Sequence, residues 1–155
     1  LETITVDKDN PDYMVKNGLL LSKDGRTLIS CPGFLESVQI PDSVVYIAHS
    51  AFYGSSIKEI TLGKNIAEIG GTAFKNCKYL TYLDLSDTQI NDGALEGTNV
   101  RKLTINKNTN VKRLIDLYSE FKIDYKKVNL DNTIEVDKDF NDDKLMSKSS
   151  KRKRK

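Results

Sequence analysis

The middle of this chain repeats itself. Ile40, Val44, Ile47, Ala51 and Phe52 align with Leu62, Ile66, Ile69, Ala73 and Phe74 at a constant offset of 22 residues. Beyond that point the offset lengthens to 23, matching Ile57, Ile60 and Leu62 with Leu80, Leu83 and Leu85. A shorter, degenerate copy follows, in which Ala94-Leu95 replaces Ala-Phe and Val100, Leu103 and Ile105 close the unit. At the front, Leu1, Ile4 and Val6 keep the spacing of Ile57, Ile60 and Leu62. A unit this short cannot bury its apolar face alone, so a recurring pattern of this kind implies coils stacked on one another.

The pattern within each unit says how a coil is built. Alternation in Ile60-Thr61-Leu62 and Leu83-Asp84-Leu85 gives a short strand with one face inward, because strand side chains alternate with period two. Val44 and Ile47 supply an inward pair on the opposite wall. Ala51-Phe52 and Ala73-Phe74 form the turn between walls, the small residue letting the backbone close while the ring fills the interior. Stacking then predicts ladders of aliphatic and of phenyl groups. If Ile4/Val6, Val38/Ile40, Ile60/Leu62, Leu83/Leu85 and Leu103/Ile105 point inward, their neighbours point out. One outward row is Thr3, Ser37, Glu59, Tyr82 and Lys102; the other is Thr5, Gln39, Thr61, Asp84 and Thr104.

The combination I-P-x-S-V-x-x-I-x-x-x-A-F followed by L-x-x-I-x-L resembles the leucine-rich repeats of the BspA-like, or Treponema pallidum-type, class. The likeness runs from Val38 to Leu85 and weakens toward Ile105. The stretch from Asn10 to Pro32 is similar to the hairpin often inserted between such repeats, with Cys31 where the family more often has an aromatic. Read on its own, that stretch is also a hairpin: an apolar strand, a Lys23-Asp24-Gly25 turn and a second apolar strand. Proteins of this class are commonly bacterial or protozoan surface proteins that bind other proteins. The resemblance thus implies a cell-surface or secreted location and a binding role.

From Asn106 the repeat stops. Val111, Leu114, Ile115, Leu117, Tyr118 and Phe121 fall at helical spacing, which predicts a capping helix with Asn108 or Asn110 as N-cap. Lys126 to Leu130 and Thr133 to Val136 then predict two short strands. The expected organisation is repeats over 1–105 with the hairpin near 10–32, a cap over 106–136 and a disordered tail over 137–155. The tail turns strongly basic at 148–155, which holds six of the chain's 24 basic residues and no acid. Residues 1–146 therefore carry a net charge of −4, with no basic stripe to track a phosphate backbone. The Lys151-Arg152-Lys153-Arg154-Lys155 run fits a weak, salt-dependent polyanion contact, a membrane-surface or wall anchor, or a solubilising end.

Chemistry-bearing residues are sparse. His49 is the only histidine, and neither Cys31 nor Cys77 lies at metal-ligand spacing, so both cysteines read as buried thiols. Asp137-Lys138-Asp139 opens like a calcium loop but lacks the glycine at its sixth position, and Lys148 occupies the twelfth. Gly70-Gly71 is a turn without the surroundings of a phosphate loop. No catalytic residue, metal or cofactor is expected. No apolar stretch is long enough to cross a membrane as a helix. Leu1 is neither an initiator methionine nor part of a signal-peptide core, which suggests a processed chain or a fragment.

The expected fold is a mainly β, right-handed leucine-rich solenoid with an inserted hairpin and a C-terminal helix. Its expected function is non-enzymatic binding of a protein or glycan on the outward strand face, through Glu59, Thr61, Tyr82, Asp84, Lys102 and Thr104. The alternative is an intracellular scaffold or nucleic-acid-associated protein localised by the basic tail. A solenoid opening at Leu1 would also present an unpaired strand edge, so end-to-end self-association is expected.

Overall fold

The computed structural model describes residues 4–91, 93–110 and 133–137. Its strands build two walls of a stacked coil. One wall is a six-stranded sheet in the order β1 (Tyr13–Lys16), β2 (Leu19–Ser22), β3 (Thr27–Ser30), β5 (Tyr46–Ile47), β7 (Glu68–Ile69) and β9 (Gln89–Ile90). The facing strand row holds β4 (Ser37–Gln39), β6 (Glu59–Thr61), β8 (Tyr82–Asp84), β10 (Lys102–Ile105) and β11 (Ile134–Asp137). Pairing between successive coils is parallel, as repeated units wound in one sense require.

The aliphatic and phenyl ladders run between these walls. Val44, Ile47, Ile57, Ile69, Leu80, Leu83 and Leu103 are completely buried. Phe52 and Phe74 stack with ring centroids 4.9 Å apart and planes 21° from parallel. The N–H of Phe52 donates to the Ala73 carbonyl, and the N–H of Phe74 donates to the Ala94 carbonyl. Cys31 occupies the equivalent place one coil earlier, its N–H donating to the Ala51 carbonyl. Both cysteines are buried and unbridged. Burial pushes the Cys31 thiol up to about 12 and raises that of Cys77 as well.

The expected hairpin is present as β2 and β3, but it is larger and better integrated than its sequence suggested. A further strand, β1, pairs antiparallel with β2 across Asn17-Gly18, whose φ values of 55° and 80° suit a tight turn. β3 pairs in parallel with β5, so the insertion extends the wall.

Ile4, Thr5 and Val6 form no strand, contrary to the repeat-like spacing at the front. The stretch expected to form the capping helix, Val111 to Phe121, lies outside the described residues, as do Lys126 to Leu130 and residues 138–155. No helix occurs among the described residues. The second expected short strand is β11, which pairs antiparallel with β10 and ends the strand row at that side. It extends through Asp137, a buried residue, so Asp137 belongs to this strand and not to the tail.

Candidate functional site

The strand row is continuous except at one place. β4 pairs with β6, and β8 pairs with β10, yet no backbone hydrogen bond joins β6 to β8 among the described residues. The interruption falls where the repeat changes length. Between Ser55 and Ile57 the chain places Ser56 alone, whereas Lys78 and Tyr79 separate Cys77 from Leu80. After the strands the difference reverses, with four steps from Leu62 to Ile66 but three from Leu85 to Thr88. The flanking positions remain matched, because Ser55 Oγ meets Cys77 Sγ at 3.6 Å and Thr88 Oγ1 donates to the Ile66 carbonyl at 3.1 Å.

A cleft of about 410 Å³ lies between β6 and β8. Ile60, Leu62 and Ile66 line its apolar part, with Thr61 and Lys64 on the β6 side and Tyr82, Asp84 and Asp87 on the β8 side. Ile60 and Leu62 are only half-buried, while their counterparts Leu83 and Leu85 are wholly enclosed.

Backbone polarity follows from the strand pairing. Glu59 N–H donates to the Glu36 carbonyl and the Thr61 carbonyl accepts from Ile40, which commits these two residues to β4. Alternation therefore turns the peptide groups of Ile60 and Leu62 toward β8. On the other side, Thr81 and Leu85 bond to β10, so the peptide groups of Tyr82 and Asp84 face the cleft.

The carboxylates at the lip are held in place. Asp84 Oδ1 accepts from the Ser86 N–H at 3.0 Å. Asp87 Oδ1 accepts from the side-chain amides of Asn106 and Asn108 at 3.1 and 2.6 Å. These two bonds, Asn108 first, hold the Asp87 carboxyl below its ordinary range, so it stays charged near neutral pH. Burial raises the Tyr82 phenol, with the bond to Thr104 opposing the shift, so the ring carries a neutral hydroxyl.

Of the six side chains expected on the binding face, Thr61, Tyr82 and Asp84 line this cleft. Glu59 and Lys102 are exposed on the same row, Glu59 on β6 and Lys102 opposite Tyr82. Thr104 is a correction. It points outward as expected, but it is 7% exposed, because the Tyr82 hydroxyl reaches over to its Oγ1. A tyrosine is long enough to cover a diagonal neighbour on the next strand.

Sequence reading missed three exposed aromatics at the corner leading into the strand row: Phe34, Tyr53 and Tyr79. Lys75 Nζ lies 6.0 Å from the Tyr53 ring centre. Phe34 and Tyr79 each precede an aliphatic at the same point of the repeat, Leu35 and Leu80. Extending the outward rows through that corner would have found them. His49 is exposed, with Nδ1 3.3 Å from Thr72 Oγ1. Among the described residues no group of three His, Cys, Asp or Glu side chains is placed to hold a metal ion.

Stacked parallel coils, aliphatic ladders and a displayed strand row define a leucine-rich-repeat solenoid. The chain belongs to the BspA-type leucine-rich-repeat family, whose profile matches residues 30–135 with 6 copies of the repeat. None of the curated proteins matches it. Among solved structures, the pneumococcal vaccine antigen PcpA is similar to it at 22% sequence identity with a TM-score of 0.55. That likeness covers 68% of this chain and 33% of the PcpA chain, so the present chain spans about a third of that protein's length. At this identity the similarity speaks to the fold.

Proposed function

We propose that this chain is a non-enzymatic binding module of a cell-surface protein, and that it holds a protein ligand on the outward face of the strand row. The observation that carries this reading is the interruption between β6 and β8. There, half-buried aliphatics, charged side chains and inter-strand peptide groups meet beside a 40%-exposed tyrosine. Binding faces draw their affinity from such partly enclosed aromatic positions ringed by polar groups. The surface location is supported by membership of the BspA-type family and by the fold shared with a vaccine antigen. Among the described residues no helix is long and apolar enough to cross a membrane.

The test is to probe immobilised peptide and glycan arrays with the full chain, then repeat with Tyr82→Ala and Thr61→Arg. Each substitution is expected to weaken capture of a protein ligand by about tenfold or more. A third variant replaces the five basic residues from Lys151 to Lys155 with glutamine and is expected to bind as before. Capture that ignores the strand-face substitutions but vanishes on neutralising the basic run, with steep salt dependence, would reject the proposal in favour of tail-directed polyanion binding. Selective capture of glycans would reject the protein ligand.

A further inference from the structure

We propose that Asn17 is a site of spontaneous deamidation, and that its conversion to aspartate and isoaspartate unpins the β1–β2 turn from the outer edge of β4.

Asn17-Gly18 is the only Asn-Gly pair in the chain. Both residues are exposed at the tip of the hairpin. The Asn17 side-chain amide donates to the Gln39 carbonyl at 2.9 Å, and a Cβ placed on Gly18 would lie 3.5 Å from Leu35 Cδ1. The tip therefore rests on the strand row, tied to it by an amide that hydrolysis can remove.

Asn65 and Asn99 make the same kind of tie. Asn65 Nδ2 donates to the Asp42 carbonyl at 2.8 Å, and Asn99 Nδ2 to the Lys78 carbonyl at 2.6 Å. Both are exposed as well. They differ in the residue that follows. Deamidation begins when the nitrogen of the next peptide attacks the side-chain amide carbon, so it needs that nitrogen free and uncrowded. After Asn65 and Asn99 come the buried, β-branched Ile66 and Val100, whose N–H groups donate to the Gly63 carbonyl and to Thr98 Oγ1. After Asn17 comes a residue with no side chain, and its N–H has no hydrogen-bond partner among the described residues.

Water is the one co-reactant the step needs. Gly18 N bonds to Asn17 Cγ, the Cγ–Nδ2 bond breaks, and ammonia departs with the proton that Gly18 N gives up. Water then opens the resulting succinimide. Cleavage at Cγ restores the main chain with an aspartate, whereas cleavage at the main-chain carbon leaves the chain running through Cγ as isoaspartate. Either product lacks the Nδ2 donor and adds a negative charge at the tip, so the Gln39 carbonyl loses its partner. Isoaspartate also inserts a methylene into a tight turn whose register depends on its length.

The test is peptide mapping by mass spectrometry of the full chain aged in mildly alkaline buffer, with and without urea. In the folded chain the peptide holding Asn17 is expected to gain about 1 Da and to contain isoaspartate. Its conversion should run about tenfold or more ahead of Asn65 and Asn99. In urea Asn17 should convert faster still, because ring closure first swings the side chain off Gln39. An Asn17 that stays an amide in the folded chain, or converts no faster than Asn65 and Asn99, would overturn the assignment. The consequence is read by NMR on Asn17→Asp, since Asp-Gly still suits the turn. The Ile40 amide, joined to the Gln39 carbonyl, is expected to shift in that variant and in the aged protein alike. An Ile40 resonance unmoved in either sample would overturn the release of the turn.

Discussion

Cys31 occupies the position that phenylalanine fills in the next two coils, and a thiol there behaves differently from a ring. It contributes less apolar area to the ladder, and it can ionise. Burial shifts its thiol from the ordinary 9.0 to about 12. Between those values the unfolded chain has released a proton that the folded chain retains, so the folded state is disfavoured as pH rises. Stability should be intact below about pH 9 and decline as pH climbs through the range to about 12, with Cys77 and Tyr82 acting in the same sense. Urea unfolding at stepped alkaline pH will measure this, and Cys31→Val should flatten the decline. A curve unchanged by that substitution would assign the loss to other groups.

The strand row is not paired evenly along its length. β4 pairs with β6 residue for residue and β8 pairs with β10, whereas no backbone hydrogen bond joins β6 to β8 among the described residues. Native-state hydrogen exchange should report the break directly. The amides of Ile60, Leu62, Tyr82 and Asp84 are expected to exchange about tenfold or more faster than those of Thr61 and Leu83, which bond to the neighbouring coils. Uniform protection along β6 and β8 would mean that the ladder closes in solution. In the other wall, successive parallel partners run from β3 through β5 and β7 to β9, so that wall carries the stacking past the interruption.

Across the whole molecule, one core runs through successive coils without dividing, from Leu19 and Leu21 in the hairpin to Ile134 and Val136 in the last strand. The two sides of the strand row finish differently. β11 covers one side, whereas no strand among the described residues pairs with the outer edge of β4. Asn17 Nδ2 donates to the Gln39 carbonyl there at 2.9 Å, which satisfies one group of that edge. Strand alternation leaves the Ser37 N–H directed outward, where a second copy can pair with it. Sedimentation equilibrium should therefore show an average mass that rises with concentration. Ser37→Pro should reduce it, since proline is tolerated at an edge but donates no bond. A constant monomer mass would show that the edge is shielded.

The repeat was legible because side-chain burial in a stacked coil is periodic in sequence. Val44, Ile47, Phe52, Leu83 and their counterparts could be assigned inward from spacing alone, and so could the outward direction of Glu59, Thr61, Tyr82, Asp84, Lys102 and Thr104. The change of offset from 22 to 23 was legible too, as a number. Its consequence was not. Whether an extra residue bulges into a turn or moves a strand depends on hydrogen bonds to the coils on either side, and those are long-range. The same limit hid the cover that Tyr82 places over Thr104, which depends on a side chain crossing between strands. Sequence determined which face each residue takes, because that is a local matter of alternation. Only the tertiary structure decided where the outward face opens, because a gap between strands belongs to neither strand alone.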